Sequence, residues 1–209
     1  VKLLLATRNR NKVTELQPML EGTGWQVVTL ADIEDMPDVE EDGATFEENA
    51  RKKALSAARR TKMWTLAEDA GLEVDALGGE PGVLSARYCG EGASDADRMR
   101  KVLDRIVAVP DERRTARFQC VMCLVDPAGT DTCFEGQCEG RISHHARGSS
   151  GFGYDPIFMP EGQALTFGEL GQSAKSRVSH RARAMRQVIA FLQSRVKSDG
   201  DAAHLRKPE

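Results

Sequence analysis

The chain has 209 residues, enough for one domain with a substantial core and no need of disulfide staples. Hydrophobic residues make up 40% and charged residues 29%, with a net charge of −3, so nothing in the total attracts nucleic acid, and a polyanion partner would need a local patch. No apolar run is long enough to span a bilayer and no signal-peptide pattern opens the chain, which makes the cytoplasm the default expectation, with no membrane partner.

Taken in order, residues 3–6 read as a strand, 12–20 as a helix and 25–30 as a second strand. Between the first two lies Thr7-Arg-Asn-Arg-Asn-Lys12, a polar, basic turn at a strand end, which is either an ordinary connection or an anion site at a helix N-terminus. Thr45-Phe-Glu-Glu48 has the capping-box form and opens an Ala-rich helix over 46–60. A short strand, 64–67, then delivers Glu68 and Asp69 to Ala70-Gly71, which reads as a turn. Successive strand side chains face opposite ways, so Glu68 and Asp69 are not expected to serve one site unless the chain bends between them.

Ser94 opens another helix, with acidic residues in its first turn, and Pro110 stops it. Residues 117–125 and 132–139 flank the turn signal Asp126-Pro-Ala-Gly129 and read as an antiparallel hairpin. The last helix spans 179–195, with Ser179 as its cap and His180 and Arg181 in its first turn, where cations oppose the dipole and hint at an anionic ligand. From Lys197 the chain is polar and aperiodic and is expected to fray. Strands mixed with helices, plus one hairpin, predict an α/β domain with a mixed sheet.

Five cysteines argue against a disulfide framework. Cys120 and Cys123 lie three apart in the strand-like ARFQCVMCLV, point to opposite faces, and read as buried free thiols rather than a zinc pair. Four histidines show no ligand spacing, so a catalytic zinc is not expected. The acids Glu40, Glu41 and Asp42 crowd one loop where a bound cation would relieve their repulsion. Arg147 to Pro160, whose loop as far as Asp155-Pro156 holds three glycines and two aromatics, lets backbone approach a ligand while Phe152 or Tyr154 stacks on a base and Asp155 accepts from its N–H edge.

Together, the blocks ATRNRNKVTEL, EEDGATFEENA, AEDAGLEVDALGGEPGVLSARY, GFGYDPIF and KSRVSHRA resemble the inosine triphosphate pyrophosphatase-like enzymes, from Leu3 to about Leu192. The resemblance implies an elongated mixed α/β sheet in two lobes with the active cleft between them, one two-lobed domain over 1–196 with a polar tail over 197–209, and a homodimer. It implies hydrolysis of ITP, dITP and XTP to nucleoside monophosphate and pyrophosphate, dependent on Mg²⁺, which clears deaminated purines from the nucleotide pool. By the same resemblance Thr7, Arg8, Asn9, Arg10, Asn11 and Lys12 form the triphosphate loop, and Glu40 and Asp69 hold the metal, Asp69 being also the general base. Ala70, Phe152, Gly153, Tyr154, Asp155, Lys175, His180 and Arg181 match substrate-binding positions. Donors such as His180 or Arg181 would favour a 6-oxopurine over adenine. Two departures stand out: where the family usually has Asp-Asp-Ser-Gly, this chain has Glu68-Asp69-Ala70-Gly71, with Glu for the first Asp and Ala for Ser.

Overall fold

The structure, a computed structural model, describes residues 1–204, with side chains through Arg195. Six strands form one mixed sheet in the order β2-β1-β3-β4-β5-β6. These are β1 (Lys2–Leu5), β2 (Gln26–Thr29), β3 (Trp64–Val74), β4 (Thr115–Val125), β5 (Asp131–Ile142) and β6 (Phe158–Pro160). β1 runs parallel to β2 and β3, and the remaining pairs are antiparallel. Five helices flank the sheet: α1 (Arg10–Leu20), α2 (Phe46–Thr61), α3 (Asp95–Arg105), α4 (Phe167–Val178) and α5 (His180–His204).

The long strands β3, β4 and β5 carry two lobes. At one end alternation divides the apolar side chains between faces: Leu3, Leu66, Cys120 and Met122 pack with α1 and α5, and Leu4, Ala67, Val121 and Cys123 with α2. At the other end Leu72, Ala116, Phe118 and Ile142 join Val102 and Ile106 from α3 and its end in a separate core. The cleft lies where these cores part.

Four expectations change. The strand expected over 64–67 continues to Val74, because Ala70-Gly71 is extended rather than turned. Gly71 is there for space: a Cβ would meet Ser85 Oγ at 2.5 Å and Phe46 Cε1 at 2.9 Å, with Gly82 O nearer still. Ser85 Oγ uses that approach to accept the Leu72 N–H at 2.9 Å. Gly71→Ala is therefore expected to destabilise by about 1–3 kcal/mol, the usual cost of overpacking, and a urea midpoint checks it.

Second, the α2 cap is only half the expected box. Thr45 Oγ1 accepts the Glu48 N–H at 3.1 Å, but Glu48 reaches back to the N–H of Ala44 instead of Thr45. Third, Cys123 is not a free thiol. The hairpin register sets it opposite Cys133, with Cα atoms 4.1 Å apart, and the two form a disulfide, while Cys120 and Cys138 remain buried thiols. Cys120 and Cys123 do face opposite sides of the sheet. Fourth, α5 continues past Arg195 to His204, since no proline interrupts before Pro208; the rest of the expected frayed tail, 205–209, lies outside the described residues. No helix of the described chain is long and apolar enough to cross a membrane.

Candidate active site

A cavity of about 590 Å³ opens between the lobes, and most of the residues singled out in the sequence line it. They arrive from separate elements: the β1–α1 turn, the middle of β3, the 151–155 loop, α4 and the start of α5. Asn9 caps α1, its Oδ1 accepting the N–H groups of Asn11 at 3.0 Å and Lys12 at 3.4 Å, and Thr7 Oγ1 accepts the Asn9 N–H. α1 has no acidic residue in its first turn, so nothing on the helix competes with an anion at that end. Arg8 reaches across the mouth to Asp38 at 2.6 Å. Arg10 is exposed and lies outside the cavity wall.

Glu68 and Asp69 diverge as strand geometry requires. Asp69 turns toward α2, where its Oδ2 accepts from Asn49 Nδ2 at 3.1 Å. Asn49 also accepts the Gly43 N–H at 2.8 Å, so one side chain ties the acidic loop to the strand. Lys53 Nζ stands between two carboxylates, 3.0 Å from Glu41 and 3.6 Å from Asp69. Burial, with the Glu41 charge added, raises the Asp69 carboxyl above its usual range despite Lys53, Lys12 and the Asn49 bond. The acid of the loop that meets Asp69 is Glu41; Glu40 is exposed and contributes nothing to the cavity wall.

Glu68 turns the other way into a buried ladder of alternating charge. It pairs with Lys12 at 3.1 Å and takes both Nε and Nη2 of Arg181, the latter at 2.7 Å. Arg181 Nη1 donates to Glu15 at 2.6 Å, Glu15 accepts from Lys175 at 2.6 Å, and Lys175 donates to Asp155 at 2.6 Å. Burial alone would push the Glu68 carboxyl up, but Arg181 and Lys12 overcome it and hold it far below the carboxylate range. Asp155 goes the opposite way, raised by burial against the pull of Lys175.

The glycine-rich loop brings both Phe152 and Tyr154 to the cavity wall, but only Phe152 has a ring that is not already buried. Tyr154 is buried and its hydroxyl donates to Ser85 O at 2.8 Å, whereas Phe152 is half-buried with Lys175 4.5 Å above its ring. Asp155 is also buried, and it accepts the Phe152 N–H at 2.9 Å as well as Lys175. Gly153 N–H donates to Asp95 at 2.7 Å, which fixes the loop to the start of α3. His180 stacks on Phe118 with centroids 4.7 Å apart, and its Nδ1 is buried with no hydrogen-bond partner. Burial, reinforced by Arg181 and Lys175, holds the imidazole well below its usual range, so it is neutral. Ser179 Oγ accepts the Ala182 N–H at 3.2 Å and caps α5.

The arrangement is two carboxylates on one side of a nucleotide-sized space and a row of cations on the other. The Ham1 family model matches residues 3–191, nearly the whole chain. The chain belongs to the Ham1 family. It is 46% identical over 192 residues to a dITP/XTP pyrophosphatase of Desulforamulus reducens, covering 92% of this chain and 96% of that one. It is 48% identical to the Geobacter sulfurreducens protein of the same description, over 88% and 92% of the two chains. Among solved structures, a HAM1 protein from Coxiella burnetii superimposes with a TM-score of 0.85 at 38% identity, over 93% of this chain and 99% of that one.

Several residues of this Ham1 chain that shape the cleft escape the sequence reading: Glu15, Asn49, Lys53, Asp95 and Arg98. Glu15 carried a signal, since it lies three residues after Lys12 and beside the buried Leu16, on the face that α1 turns inward. Lys175 proves to lie on α4, whose kink at Gly171 (φ 74°) no local pattern marks as a helix interior.

Proposed function

We propose that this Ham1 chain hydrolyses non-standard purine nucleoside triphosphates, ITP, dITP and XTP, to the nucleoside monophosphate and pyrophosphate. The observation that carries the reading is the placement of Asp69 and Lys12 in one cleft with Phe152, Lys175 and His180, in a chain whose relatives are dITP/XTP pyrophosphatases. Asp69 takes the proton of the attacking water, oriented by Asn49. Lys12 and the α1 N-terminus hold phosphate, and Phe152 offers a ring face to the base. His180, neutral and with an unsatisfied Nδ1, offers an N–H to a 6-oxo group that adenine lacks.

A divalent cation fits the acid wall. Glu41 and Asp69 already converge on one positive charge, the Lys53 ammonium, and hard oxygen donors suit Mg²⁺. Among the described residues no cluster of three or more candidate ligands exists, so two protein carboxylates would hold the ion, with water and phosphate oxygens completing it. Bound there, Mg²⁺ would neutralise phosphate charge. In this reading Glu41 takes the role that the resemblance gives to Glu40, because Glu41 is the loop acid that shares Lys53 with Asp69.

A panel of ITP, XTP, dITP, GTP and ATP, with pyrophosphate and phosphate measured separately, tests the reading; release of phosphate alone, or equal rates on ATP, overturns it. Lys12→Ala is expected to raise KM for ITP about tenfold or more, the worth of one charge-assisted hydrogen bond, and an unchanged KM counts against the phosphate loop. The resemblance also supports a homodimer acting in the cytoplasm, and sedimentation of the full chain checks the oligomer.

A further inference from the structure

Beyond β5, the chain builds a second cavity, of about 140 Å³, that shares no lining residue with the cleft. Arg114, Arg141, His144, His145 and Arg147 line it, and Asp111 is its one acid. Arg114 forms the floor. It is only 2% exposed, and its guanidinium donates to four main-chain carbonyls, those of Ile106 at 2.8 Å, Ile142 at 2.9 Å, Ser143 at 2.8 Å and Val109 at 3.4 Å, with no carboxylate in hydrogen-bond reach. A buried cation held by carbonyl dipoles, with only the Asp111 charge beyond hydrogen-bond reach to offset it, leaves positive charge under the cavity.

Of the neighbours, Arg141 adds to that surplus, while Arg147 and His144 each face a carboxylate. Arg147 Nε is buried with no hydrogen bond and meets Glu169 only as an ion pair at 3.4 Å. Asp111 is on the rim, 71% exposed, and its carboxylate faces His144 Nε2 at 2.5 Å rather than Arg114. Among the described residues, no hydrogen bond or ion pair engages the side chain of Arg141 or the ring of His145, and both are exposed at the mouth. The space equals that of a few water molecules at about 30 Å³ each, so it admits a small oxyanion with its hydration but no nucleoside.

We propose that this cavity binds a phosphate-class oxyanion, inorganic phosphate or pyrophosphate, with Arg141 and His145 closing over it and Arg114 supplying charge from below. Planar guanidinium groups suit phosphate oxygens bidentately. The binding itself does not depend on the hydrolytic reading, although pyrophosphate is the product that reading assigns.

Proton NMR of the full-length, metal-free chain tests it, with the His144 and His145 signals assigned through His144→Gln and His145→Gln and His180 reporting on the cleft. Added phosphate or pyrophosphate is expected to move the His144 and His145 signals along a saturating curve. Arg141→Glu should weaken that response about tenfold or more, the worth of one charge-assisted hydrogen bond, and leave ITP hydrolysis within about twofold. Movement of His180 alone, or equal saturation in Arg141→Glu, overturns the proposal. Failure of ITP hydrolysis with the histidine shifts intact would sink the proposed reaction and leave this site standing.

Discussion

Asp69→Asn is expected to lower turnover on ITP by about a thousandfold, roughly 4 kcal/mol of barrier, without lowering the stability of the fold. The two halves of that result come from the same environment. Asp69 is buried, close to the Glu41 charge, and its carboxyl is raised for those reasons. A carboxyl whose folded pKa lies above its unfolded value favours folding when protonated, so at neutral pH its ionisation costs stability. The amide is isosteric and neutral; it removes that cost, keeps the size that Asn49 packs against, and cannot take a proton from water. The urea midpoint should therefore hold or rise while pyrophosphate release collapses, the usual exchange between stability and activity at a functional site. A rate within about tenfold of the parent would assign the base to another group.

How far the sequence reveals this site depends on which forces placed each residue. Lys12, Phe152, His180 and Arg181 reach the cavity wall from contexts legible locally, a helix start after a strand, a loop rich in glycine and a second helix start, whereas Asp69 comes from the middle of β3 and Lys175 from within α4. What escapes is long-range. Glu41 comes beside Asp69 through Asn49, which holds the Gly43 backbone of the acidic loop and also donates to Asp69 on β3. Gly71 looks like a turn by local rules but is a strand residue that needs room for Ser85 and Gly82. Cys123 meets Cys133 only once the hairpin register is fixed. The cations at the α5 start, which oppose the dipole if read alone, are accounted for by partners elsewhere: His180 is neutral and Arg181 is bound by Glu68 and Glu15.

That last pairing also explains the Glu at position 68. Its longer arm reaches Arg181 through both oxygens and Lys12 through one, on the face of β3 opposite Asp69, so it positions the cationic wall and is removed from the acid wall. Glu68→Gln keeps the shape and removes the charge, leaving Arg181 with Glu15 alone and Lys12 without a carboxylate. Breaking a buried pair in this way costs about 3–5 kcal/mol, and the urea midpoint at neutral pH should fall accordingly. The effect has a direction in pH. Glu68 is held far below the ordinary carboxylate range, so its contribution is complete above that range and is lost as the pH falls toward its folded pKa. The gap between parent and variant should therefore be widest near neutrality and narrow as acid protonates Glu68. A gap that stays constant from neutral to strongly acidic solution would mean that side-chain shape, rather than charge, is what Glu68 supplies.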